Sequence, residues 1–174
     1  MEEAEVPLED LHEHIHHSAE HGPSWVSWVA LSTAVLAVLA AITGLLSGTR
    51  VNEAMMSQIE ASDQWAYYQA KGIKASVLEA KMSLSGQPNE QDHAKAEQYQ
   101  EEQNDIREKA KEKESEAKVS FHEHEIFSRG VTMFQIAIAV AAISALTSKR
   151  RFWFVSLAFG AAGCVFLVQG FLTH

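Results

Sequence analysis

Three apolar runs, Trp25–Leu46, Ile126–Leu146 and Phe152–Leu172, constrain this chain more than any other feature. The first carries no formal charge. At a rise of about 1.5 Å per residue it reaches about 33 Å, enough to cross a hydrocarbon core of roughly 30 Å. Trp25 and Trp28 open it and Trp153 opens the third, where amphipathic rings favour a lipid–water boundary. The second carries Arg129 near one end, placed to snorkel. Small residues line the first run at Ala30, Ala34, Ala37, Ala41, Gly44 and Gly48, and the third at Ser156, Gly160 and Gly163. Such stripes let helices approach closely in a membrane.

Between the first two runs the chain is polar and helical in pattern. Arg50–Ser85 shows apolar residues every seven positions: Ile59, Ala66, Ile73 and Ala80, with Met56, Ala70, Val77 and Leu84 in the companion register and Asp63 as a polar exception. The spacing predicts a packing seam of coiled-coil type at these positions. Gly72 marks a close backbone approach. Ser85-Gly86-Gln87-Pro88-Asn89 reads as a turn, and Asn89 caps a second helix that starts with Glu90 and Asp92. That helix runs to about Phe127 and offers Ala96, Tyr99, Ile106, Ala110, Ala117 and Phe121 as its apolar face. The two arms pair antiparallel, roughly 35–40 residues each and about 50–60 Å long.

The expected fold is therefore an all-α membrane protein with three transmembrane helices and a long antiparallel extramembrane hairpin. Its segments are an acidic His-rich start (1–24), a first span (25–48), the hairpin (49–127, turning at 85–89), a second span (128–147), a basic turn (148–151) and a third span (152–173). The absence of Lys and Arg from residues 1–24 argues against a signal peptide. By the positive-inside rule the turn holding Lys149, Arg150 and Arg151 faces the cytoplasm. In a bacterial inner membrane the amino terminus is then cytoplasmic and the hairpin periplasmic.

Charge and composition exclude more than they identify. The net charge is −9, which argues against a nucleic-acid partner. Cys164, the single cysteine, lies in an apolar run and reads as a small buried hydrophobe. His12, His14, His16, His17 and His21 sit among carboxylates, in a pattern that suits a divalent metal or a charge change near pH ~6.5. His122-Glu123-His124-Glu125 lacks the helical spacing of a zinc protease. With the first run crossing the membrane, the two His clusters fall on opposite sides. The apolar runs hold no ionisable residue in their cores, which disfavours a coupled transporter. No catalytic constellation and no cofactor-binding motif is present, so the expected partners are the lipid bilayer and further copies of the chain.

The string Ser62-Asp63-Gln64-Trp65-Ala66-Tyr67-Tyr68-Gln69-Ala70-Lys71, followed by Ile73-Lys74, resembles the signature of an uncharacterised bacterial membrane-protein family, a domain of unknown function numbered forty-three thirty-seven. The resemblance extends over nearly all of the chain after residue 24 and implies no activity. The residues themselves read as an assembly surface: Trp65, Tyr67 and Tyr68 point in different directions and cannot all face one arm. Ile73, Gly44, Gly48, Gly160 and Gly163 complete the expected interface. Two other readings stand beside a non-enzymatic, oligomerising scaffold. One is an oligomeric pore or transport accessory ringed by Gln135 or Gln169. The other is a metal- or pH-responsive protein acting through the His-rich start.

Overall fold

The computed structural model describes residues 24–85 and 90–173, and all of them except a short reversal and one terminal residue are helical. Helix α1 spans Ser24–Ser85, α2 spans Glu90–Thr147 and α3 spans Arg150–Leu172. No strand occurs among the described residues. The helices are long and apolar enough to cross a membrane in three places. Glu90 and Asp92 occupy the first turn of α2, where carboxylates complement the exposed amides. The expected histidine-rich start and residues 86–89 of the expected turn lie outside the described residues.

The chain divides into two compact units. One holds residues 24–45 and 127–173, the other residues 46–126. In the first, α1, α2 and α3 bury one narrow face each. Trp25, Val29 and Ala141 form one cluster with Trp153 against it, and Leu36, Phe134 and Ala137 form another. Glycines admit the rings. A Cβ on Gly163 would fall 2.7 Å from Phe134 Cε1, and one on Gly170 2.4 Å from Phe127 Cε1. Ser156 is fully buried because its hydroxyl donates to Ala137 O at 2.7 Å. The remaining apolar surface points outward: Leu31, Val35, Val38, Ile42, Leu45, Phe154, Val165 and Val168 are all exposed.

Between α2 and α3 the chain reverses through Ser148, whose φ of 53° is left-handed. Ser144 Oγ donates to Lys149 O at 3.1 Å and holds the turn closed. Arg150 and Arg151, expected in the turn, instead form the first turn of α3. Cations there oppose the helix dipole. The Arg150 guanidinium lies over the Trp25 ring, 5.5 Å from its centroid.

In the second unit the two arms run in opposite senses. Arg50 meets Glu123, Trp65 meets Glu114, Lys71 meets Glu102 and Lys81 meets Asp92. Here one expectation is corrected. The heptad period is present, but the register turned to the second arm is another one: Ala54, Ala61 and Ala75 are buried, and Tyr68, Met82, Ser57, Gln64, Lys71 and Leu78 are half-buried beside them. Ile59, Ile73, Val77, Met56 and Leu84 are 55–87 % exposed, and Ala66, Ala70 and Ala80 are exposed beside them. The physical reason is size. Alanines at seven-residue spacing let the arms approach closely, whereas the Ile and Val stripe would hold them apart. On the second arm Ala96, Ile106, Ala110 and Ala117 are buried and Tyr99 partly so, as expected, but Phe121 is half exposed.

Candidate functional site

The hairpin unit carries three features to which a function can be attached: a polar clasp at one end, a ladder of cross-arm contacts, and a bare apolar stripe. The clasp comes from residues just beyond the first apolar run and just before the second. Arg50 Nε lies 2.8 Å from Glu123 Oε2, and Arg50 Nη1 2.9 Å from Glu53 Oε2. Glu123 is only 1 % exposed. Beside it, His124 Nδ1 lies 2.9 Å from both the Ser47 carbonyl and the Ser47 hydroxyl. A carbonyl only accepts, so Nδ1 carries the proton, and the Ser47 hydroxyl donates to His124 O at 3.4 Å. The imidazole has no lone pair at Nδ1 to take the serine proton. The pair locks two helices and does not activate a nucleophile.

The ladder explains the aromatic string. Trp65 is partly buried, and its Nε1 donates to Glu114 Oε1 at 2.8 Å. Its ring meets Tyr68 edge to face, 5.5 Å between centroids. Gln103 Nε2 donates to Tyr68 O at 3.0 Å. Gly72 makes that reach possible, because a Cβ there would fall 2.5 Å from Gln103 Nε2. The close approach expected at Gly72 is thus made by a side chain of the opposite arm. Lys71 pairs with Glu102 and lies over the rings of Tyr67 and Tyr99, 5.3 and 4.9 Å from their centroids. The hydrogen bond to Glu102 raises the Lys71 pKa, and the same bond lowers that of Glu102. Lys113 is raised by its hydrogen bonds to Glu116 and then Glu60.

The stripe is what the seam leaves over. Met56, Ile59, Ile73, Val77 and Leu84 lie on the face of α1 turned away from the second arm. Two concavities open beside it. One, of about 620 Å³, lies between Val51, Met55 and Ile59 on one arm and Phe121 and His122 on the other. The second, of about 540 Å³, is lined by Gly72, Ile73, Val77 and Gln103.

The residues expected to form an assembly interface are therefore distributed over different settings. Tyr67 and Ile73 are 49 % and 65 % exposed on the hairpin. Trp65 and Tyr68 have partners within their own chain. Gly160 and Gly163 are buried, filled by Leu36 and Phe134, while Gly44 is partly buried and Gly48 has nothing within 4 Å of an added Cβ. Ala30, Ala34, Ala37 and Ala41 are exposed, so among the described residues no helix covers that small-residue stripe. Nothing in the sequence reveals that Ser47, Arg50, Glu123 and His124 meet, and Glu123 and His124 read there only as part of a string without zinc-protease spacing. The only signal was that they border the apolar runs. Among the described residues no three His, Cys, Asp or Glu side chains converge as a metal would require. The five histidines of the acidic start are outside the described residues.

No curated protein and no solved structure matches the chain. The family described as a domain of unknown function (DUF4337) matches over residues 25–173, and the chain belongs to that family.

Proposed function

We propose that this protein is a non-enzymatic, homo-oligomerising integral membrane protein, a scaffold or assembly component whose three apolar segments cross the bilayer and whose arms form a coiled-coil-like hairpin outside it. The observation that carries this reading is the second apolar stripe. A solvated helix has no use for Ile59, Ile73, Val77 and Leu84 at 55–87 % exposure in heptad spacing. The seam against the second arm is already complete without them. In the other unit, the outward-facing leucines, valines and phenylalanines suit lipid, and the exposed alanines of the first run suit a neighbouring helix.

Replacing Ile59 and Ile73 by Gln tests the reading, because neither supports the intrachain seam. The native mass in mild detergent should fall while helicity is kept; an unchanged mass would count against it. We place the chain in a bacterial inner membrane, amino terminus cytoplasmic and hairpin periplasmic, on the basic turn at Lys149–Arg151. A cysteine at Asn89 should react with an impermeant thiol reagent in spheroplasts; reaction only after lysis reverses this orientation. One observation supports the pore alternative: Gln135 and Gln169 are exposed on the apolar unit, where a polar side chain needs a partner in lipid. Conductance across a planar bilayer separates pore from scaffold.

A further inference from the structure

The bare stripe of the first arm has two edges, and only one is charged. On one edge stand Met55, Ser62, Gln69 and Ser76. On the other, at the same seven-residue spacing, stand Glu53, Glu60, Tyr67, Lys74 and Lys81. The sign reverses about Tyr67. Two helices packed antiparallel along such a stripe bring like edges together in opposite order. Two packed parallel bring unlike edges together.

We propose that the stripe is the docking site for the same stripe of a second copy, running antiparallel about a two-fold axis at Tyr67. In that arrangement Glu60 faces Lys74 of the second copy, Glu53 faces Lys81 of the second copy, and Tyr67 faces its own counterpart. Every charged pair is of opposite sign and each occurs twice, as a two-fold interface requires. Bulk matches as well: Ile59 falls against Val77 of the second copy. A parallel pair sets the charged row against the uncharged one and stacks Asp63 on Asp63, a like-charge contact inside the apolar stripe.

The charges remain accessible despite contacts within the chain. Glu60 reaches Lys113 at 3.1 Å and Lys81 reaches Asp92 at 2.6 Å, yet their side chains stay 52 % and 61 % exposed. Glu53 is held by Arg50 and is 47 % exposed. An antiparallel pair also puts the two Arg50 residues about 50 Å apart along the axis of the contact.

The proposal rests on the homo-oligomer reading, and disulfide trapping separates the two. In a full-length Cys164→Ala background in mild detergent, Tyr67→Cys should cross-link to itself under mild oxidation. Glu60→Cys and Lys74→Cys should cross-link only when the two variants are mixed. Glu60→Cys linking to itself, or an oligomeric mass with no cross-link at any of the three positions, overturns the antiparallel pairing and leaves the oligomer standing. A single-chain native mass removes both. Lys74→Glu should weaken association roughly fivefold to tenfold, and adding Glu60→Lys should restore it.

Discussion

Arg50→Ala tests whether the clasp holds the end of the hairpin. The Glu123 carboxylate is 1 % exposed and its Arg50 partner 29 % exposed, so the guanidinium reaches solvent while the carboxylate does not. Removing the arginine takes the cation away from a buried carboxylate. Breaking a fully buried pair in this way costs about 3–5 kcal/mol. Because the site borders solvent on the arginine side, the cost falls below that range, to about 2–3 kcal/mol. Glu123→Gln leaves no stranded charge, since Arg50 keeps Glu53 at 2.9 Å and can turn to water. It should cost about 1 kcal/mol, the upper end of what a partly solvated ion pair contributes. The double variant should cost less than the two singles together. Denaturant unfolding in detergent, with hydrogen exchange at residues 46–54 and 120–126, measures both size and place. Equal effects of the two single substitutions, or additivity in the double variant, would refute the account of Glu123 as a charge kept buried by Arg50.

Three further outcomes follow from the same geometry. Gly163→Ala should destabilise the apolar unit by about 1–3 kcal/mol, because the fully buried Phe134 ring has nowhere to move; thermal unfolding in detergent reads this. Trp65→Phe should cost about 1–2 kcal/mol in hairpin stability, leaving Glu114 without the indole N–H while keeping most of the ring contact with Tyr68. The pairing of Lys71 with Glu102 sets a pH window. Glu102 is lowered, so its contribution is present above the ordinary carboxylate range and is lost as pH falls through its own lower pKa. Lys71 is raised, so its contribution is present below the ordinary lysine range and is lost as pH rises past its own higher pKa. Circular dichroism melts should therefore show a plateau between these limits with a fall at each end, and Lys71→Met should flatten the acidic fall.

Much of this architecture is legible in the sequence because apolar runs, turn residues and seven-residue periods are local signals. The helix end at Ser85, the helix start at Glu90 and the antiparallel order of the arms all follow from them. The register of the first arm does not. Both its stripes repeat every seven residues, and the one with Ile, Val and Leu reads as the core by hydropathy. The structure buries Ala54, Ala61 and Ala75 instead, because close approach favours small side chains and lets Trp65, Lys71 and Lys81 reach carboxylates on the other arm. That choice depends on the opposing surface, which no single helix encodes. The clasp is hidden for the same reason: Arg50 and Glu123 are far apart in the chain and each looks solvated alone. The aromatic string, which stands out in the sequence, divides by side-chain direction. Trp65 and Tyr68 turn to the partner arm, while Tyr67 and Ile73 turn outward.

The native mass of the full chain in mild detergent or nanodiscs tests the central claim most directly. A discrete oligomer that dissociates on replacing Ile59 and Ile73 by Gln is the predicted result. A particle containing one 19.3 kDa chain at all concentrations would contradict it.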